Sequence, residues 1–130
     1  MPSIFSKIVA GEIPCYKIAE TEHYIAFLDV FPLKKGHTLV IPKQETDYIF
    51  DLDDETYTGL MEFSKKVAIA LKKAVPCNRI ALNVFGLEVP HAHVHLIPMN
   101  TMNDVSFSND KLKLSPEEFE EIAAHIKRYI

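Results

Sequence analysis

The stretch "PHAHVHLIPM", residues 90–99, puts a histidine at every second position: His91, His93 and His95. The chain has six histidines in 130 residues, so half of its imidazoles fall within five positions. A β-strand points successive side chains to opposite faces. Read as a strand, the stretch lines one face with three imidazoles, about 6.6–7 Å from one to the next. Ala92, Val94 and Leu96 then line the other face and can pack on a helix. The histidines stand on a rigid element, which suits a reaction centre.

Working outward, the neighbouring segments read as partners for that strand. "RIALNVF" (79–85), "HTLVIP" (37–42), "HYIAFLDV" (23–30) and "CYKIAE" (15–20) are short and rich in β-formers, with a turn at Thr21–Glu22 and another in "FPLKKG". Residues 51–76 read as the longest helix, capped by Asp53 or Asp54, with Leu60, Phe63, Val67 and Leu71 at helical spacing. "SIFSKIVAGE" reads as a short helix that Ser3 caps and Gly11 stops. Residues 100–114 read as a surface loop. A terminal helix over about 115–129 has Ser115 as cap, Pro116 at its first position and Glu118 completing a capping box. Its stripe of Phe119, Ile122, Ala123 and Ile126 reads as a packing face. The prediction is one α+β domain over residues 1–130, built on a five-stranded antiparallel sheet.

Composition narrows the function. The net charge is −4 and no Lys/Arg block is present, which argues against a nucleic-acid surface. Apolar runs fall well short of the ~20 residues a membrane helix needs, and the N-terminus lacks a signal-peptide pattern. Cys15 and Cys77 have no metal or redox spacing and read as reduced thiols of a cytoplasmic protein. Three alternate imidazoles could be a solvated face, a metal site or a nucleophilic centre. Three protonated neighbours would repel, and same-face residues of one strand converge poorly on a tetrahedral ion. The third reading has one imidazole attacking while its neighbours orient it, bind oxyanions and protonate a leaving group.

The segment "HAHVHLI" (91–97) resembles the His-φ-His-φ-His-φ-φ signature of the histidine triad, or HIT, nucleotide hydrolases and transferases. "IFSKIVAGEIPCYKIAE" and "YIAFLDVFPLKKGHTLVIPK" are similar to the small bacterial-type members, so the resemblance runs from about Ser3 to Pro98. It implies the HIT-like fold, with a long central helix and a C-terminal helix. It implies His93 as nucleophile toward an α-phosphorus, forming a nucleotidyl-histidine. His95 would hydrogen-bond phosphate oxygens and help protonate the leaving group. His91 would orient the nucleophile, and His37 matches a fourth histidine beside the triad. Asp29 matches the ribose-binding acid, and Ile4, Phe5, Ile8, Phe27 and Val30 match the apolar positions around the base. Asn83 resembles the amide residue near the phosphates. His23 and His125 receive no role.

The implied activity is hydrolysis of a purine nucleoside phosphoramidate. The alternatives are dinucleoside polyphosphate hydrolysis and nucleotide binding with incidental hydrolysis. The implied assembly is a homodimer joined through the long helix and "RIALNVF", with no cofactor. Two departures stand out. Leu87 replaces a glutamine, in a pre-triad loop about three residues shorter than usual. Ser3 and Ser6 replace a Cys-x-x-Cys pair that holds structural zinc in many bacterial relatives, so no metal is expected here.

Overall fold

The computed structural model describes residues 2–130. Ten elements follow one another: helix α1 (Ile4–Val9), strands β1 (Lys17–Glu20), β2 (Tyr24–Leu28) and β3 (Thr38–Pro42), a 3-10 turn (Ile49–Asp51), helix α2 (Asp54–Ala74), strands β4 (Arg79–Asn83) and β5 (Val94–Met99), a second 3-10 turn (Met102–Val105), and helix α3 (Pro116–Lys127). The strands form one sheet in the order β1-β2-β3-β5-β4, and every neighbouring pair is antiparallel. The expected α+β architecture is therefore present, with five strands, a long helix and a terminal helix.

Local chemistry sets the helix ends. The Asp53 carboxylate accepts from Thr56 N–H and caps α2. Ser115 and Glu118 form the full capping box of α3. Ser3 Oγ accepts from Ser6 N–H at the start of α1. Beyond α1, Gly11 adopts φ +79°.

The sheet separates two apolar layers. Ala26, Leu28, Val40, Val94 and Leu96 face α2 and α3, where Leu60, Val67, Leu71, Phe119, Ile122 and Ile126 complete the main core. Ile25, Phe27, Leu39 and Ile41 point to the opposite face and pack with Phe5 of α1. That second face also carries the histidines.

Several elements are shorter than the sequence reading, α2 and β4 among them, and Met102–Val105 of the expected loop forms a 3-10 turn; the difference that shapes the site is the start of β5. The strand begins at Val94, not His91. The β3–β5 ladder ends at the pair Val40–Val94. Beyond it the Pro42 carbonyl is taken by the His91 ring, and Ala92 N–H turns away to the Thr46 carbonyl. A side chain thus occupies the acceptor that a longer ladder would use. The alternation still holds, because Ala92 joins Val94 and Leu96 in the main core.

Candidate active site

Separate segments deliver the polar groups to one end of the sheet. Asp29 follows β2, and its Oδ1 accepts from Phe31 N–H at 2.8 Å, an Asx turn that orients the carboxylate. His37 follows Gly36, which adopts φ +90° and lies so close to α2 that a Cβ there would sit 3.0 Å from Leu71 and Val75. Asn83 of β4 pairs directly with His95 of β5, which puts both on the histidine face. His91, His93 and His95 are all buried.

Hydrogen-bond partners fix the position of every proton on the four imidazoles. His93 Nδ1 lies 2.7 Å from the His91 carbonyl. A carbonyl only accepts, so the proton is on Nδ1 and Nε2 keeps its lone pair. His91 donates from Nε2 to the Pro42 carbonyl at 2.8 Å, and its Nδ1 accepts from Ser3 Oγ–H at 2.9 Å. Leu33 N–H donates to His37 Nδ1 at 3.0 Å, which leaves the His37 proton on Nε2. That proton is donated to His95 Nδ1, also at 3.0 Å, so the His95 proton lies on Nε2. Two adjacent rings, 4.9 Å apart, therefore differ in kind. His93 has a bare nitrogen and His95 an N–H donor.

Burial favours the neutral form of three of these rings. Burial pushes His95 down to about 3, with His37 and His93 adding to the effect. Burial likewise pushes His37 down to about 4, opposed by Asp29 and assisted by the Lys111 ammonium. Burial lowers His91, opposed by the Pro42 carbonyl and Glu45. A protonated imidazole would best stabilise charge on a phosphoryl group, but burial keeps His37 and His95 neutral at pH 7. A further proton on His95 Nδ1 would also face the His37 N–H, donor against donor.

The two histidines make stability depend on pH. Both titrate lower in the folded protein than the ordinary 6.5, so the unfolded chain binds protons that the folded one does not. Their contribution is complete above pH 6.5 and is lost as pH falls towards 4 and then 3. The urea midpoint is therefore expected to be lower at pH 5 than at pH 7.5; an equal midpoint at both would contradict the assignment.

A cavity of about 290 Å³ opens beside these groups. Ile4, Phe5, Ile8, Phe27, Asp29, Val30, His93 and His95 all line it, so eight of the residues expected at the site meet in one place. Phe5 stands edge-on to His93 at 5.0 Å and to Phe27 at 5.7 Å. His91 and His37 stand behind the cavity as partners of the lining groups, and Asn83 stands beside it.

A scan against protein families matches residues 10–102 to the HIT domain. The chain belongs to the HIT domain family. Among its relatives, an adenosine 5′-monophosphoramidase of Schizosaccharomyces pombe is 40% identical over 98% of this chain and 100% of that protein. The crystal structure of a Hit-like protein from Bartonella henselae superposes with a TM-score of 0.86 at 32% identity, covering 98% of this chain and 96% of that one. A zinc-bound histidine triad protein from Mycobacterium smegmatis superposes with a TM-score of 0.82 at 27% identity, covering 97% and 91%.

For this HIT protein the donor set at the N-terminus does not fit a structural zinc. Ser3 and Ser6 converge on His91 and Glu45 as a hydrogen-bonded cluster. Ser3 N–H and Ser6 Oγ–H both donate to Glu45 Oε1, while Ser3 Oγ–H donates to His91. These contacts hold Glu45 down at about 2, the Ser3 N–H first among them. Hydroxyls here do the fastening that thiolates do around zinc. Ser3→Ala removes both the helix cap and the His91 partner, and is expected to cost about 1–3 kcal/mol in chemical unfolding. A loss within error of zero would mean that the cluster fastens nothing.

One other set of possible ligands, Asp29, His37 and His95, lies within 4.8 Å among the described residues. There a proton already occupies the line between the two imidazoles, so a cation would have to displace it. The sequence reading missed Glu45, the Leu33 N–H, Glu88 and the aromatic residues Phe85 and Phe107. Their spacing carries no period; only the fold brings them to the triad.

Proposed function

We propose that this HIT protein is a purine nucleoside phosphoramidase working through a nucleotidyl intermediate on His93. The observation that carries this reading is the bond from His93 Nδ1–H to the His91 carbonyl, which leaves Nε2 as a fixed nucleophile in the cavity wall. The relative named as an adenosine 5′-monophosphoramidase supports the substrate class.

The geometry supports the following roles. His93 Nε2 attacks the α-phosphorus, and the electron pair of the P–N bond leaves on the amine. His95 Nε2–H hydrogen-bonds a phosphoryl oxygen and passes a proton to the departing nitrogen. The charge that a phosphoryl group brings draws a second proton from solvent onto Nδ1 of that imidazole, the His37 N–H turning away as it enters, so that the ring is left neutral after the transfer and can take a proton back from the attacking water. Water then attacks the nucleotidyl-histidine, releases the nucleoside monophosphate and restores His93. His91 aims the nucleophile through its carbonyl, and His37 holds the tautomer of His95. Asp29 accepts from the ribose hydroxyls, its Oδ2 lying 3.5 Å from His37 Nε2. Ile4, Phe5, Ile8, Phe27 and Val30 enclose the base, and Asn83 supports the phosphate from the neighbouring strand.

The working unit we propose is a cytoplasmic homodimer. β4 is an edge strand, and Leu82 upon it is 48% exposed beside Tyr48, Phe50 and Leu87. Pairing two β4 edges about a two-fold would cover that apolar surface.

The leaving group separates this proposal from its nearest alternative. In EDTA, adenosine 5′-phosphoramidate is expected to turn over at least about tenfold faster, in kcat/KM, than a diadenosine polyphosphate. The reverse order would make the protein a polyphosphate hydrolase. Leu87, 93% exposed and unable to donate a side-chain hydrogen bond where relatives have a glutamine, favours a second reading as a nucleotide-binding protein. Tight AMP binding without turnover of either substrate would establish that one.

A further inference from the structure

Residues 42–46, where the chain leaves β3, are tied to several distant parts of the protein. The Pro42 carbonyl accepts from the His91 ring, and Lys43 N–H donates to the His23 carbonyl. The Thr46 carbonyl accepts from Ala92 N–H. Between them the exposed Glu45 turns its carboxylate to the first turn of α1. Its Oε1 accepts from Ser3 N–H and, at 2.7 Å, from Ser6 Oγ–H. One short segment therefore grips both the entry to the triad and the start of α1. These are two walls of one cavity, since Ile4, Phe5 and Ile8 line it from α1 and His93 and His95 from the triad.

Helix α1 needs such a hold. It has six residues, and a helix that short does not persist alone in water. Phe5 is its one buried residue, while Ile4 is 50% exposed and Ile8 half-buried. At the far end the chain leaves through Gly11, around which space is open. Two lining side chains thus stand on a helix held by one phenylalanine and by bonds at its N-terminal end. The Ser3 hydroxyl already serves His91 and the Ser6 N–H. The remaining tie is the Glu45 carboxylate, and bonds to a charged acceptor are the stronger kind. Without it α1 opens more often, and a ligand that needs α1 in place binds more weakly by the fraction of time the helix is away.

We propose that Glu45 is a positioning residue for nucleotide binding, its carboxylate holding α1 closed as the wall of the base pocket. The proposal rests on the nucleotide reading of the cavity but needs no turnover to be tested. Glu45 touches neither the base nor the phosphate in this account; it acts through Ser3 and Ser6.

The experiment measures AMP affinity by calorimetry and amide exchange of Lys7 and Ala10, whose N–H groups donate within α1 to the Ser3 and Ser6 carbonyls. Glu45→Ala is expected to weaken AMP binding about tenfold, the scale of a charged hydrogen bond. The same variant should exchange the two α1 amides at least about tenfold faster, with the amides of α2 unchanged. Glutamine keeps an oxygen that can accept both bonds, so Glu45→Gln should bind AMP more tightly than Glu45→Ala. Ser6→Ala removes one donor and should fall between the parent and Glu45→Ala. Added to Glu45→Ala it should change the affinity no further. If the parent hydrolyses the phosphoramidate, KM should rise with Kd in Glu45→Ala while kcat changes less, because the His91 carbonyl and not α1 aims His93. AMP affinity within about twofold of the parent in Glu45→Ala overturns the proposal. So does weaker binding with α1 exchange unchanged, or with α2 exchange raised equally, since the loss would then be general. Equal affinities in Glu45→Gln and Glu45→Ala also overturn it. A parent that binds AMP but turns over no phosphoramidate overturns the phosphoramidase reading and leaves these contrasts standing.

Discussion

His93→Ala is expected to hydrolyse adenosine 5′-phosphoramidate at least about 10⁴-fold more slowly than the parent protein, the scale on which a hydrolase feels the loss of its nucleophile. The reason is local. The parent ring is oriented by one short bond, Nδ1–H to the His91 carbonyl, so Nε2 needs no rotation or proton loss before it attacks. Alanine removes the attacking atom and leaves water to act alone on the phosphorus. The parent should also trap label from the nucleotide on protein after a rapid alkaline quench, and the variant should trap none. A variant that retained a tenth of the activity would show that His93 is not the attacking group, whatever the remaining imidazoles do.

His37→Leu is the second large effect, and it acts at a distance from phosphorus. Leucine fills much of the space but cannot accept from the Leu33 N–H or donate to His95. The first loss leaves a buried backbone donor unpaired and should cost about 1–3 kcal/mol in denaturant unfolding. The second frees His95 to hold its proton on either nitrogen. A histidine with the wrong tautomer can no longer offer Nε2–H to the phosphate, and turnover should fall about 10²-fold or more. Nitrogen chemical shifts of the His95 ring give a readout that simple destabilisation would not move. The parent should show a bare Nδ1 and a protonated Nε2, and the variant a mixture. A variant with unmixed His95 and near-parent turnover would remove His37 from the mechanism.

Much of this architecture is legible in the chain itself. The alternation of histidine with Ala92, Val94 and Leu96 announces a strand with two unlike faces, and Ser115-Pro116-x-Glu118 announces the start of α3. These signals depend on near neighbours, so sequence order carries them. The site is legible as a set of residue types, since eight of the expected residues line one cavity. What sequence does not carry is direction. Nothing in "IPK" says that the Pro42 carbonyl will receive the His91 ring and so end β5 at Val94. Nothing in the spacing of Leu33 and His37 says that a backbone donor will push a proton through one imidazole to set the next. Phe107 lies in a stretch without period, where no face can be assigned before the fold places it.

The link between Ser3 and His91 closes a separation of 88 residues, and that between His37 and His95 closes 58. Contacts of such range form late, because the intervening chain must first give up its freedom. A collapsed chain with its strands half-paired would own every residue of the candidate site and still hold them in no order. Regained activity during refolding should therefore follow, and never precede, the burial of the core. Under the proposed function, turnover is then a clock for the chain's own completion, finer than any optical signal from helix or sheet.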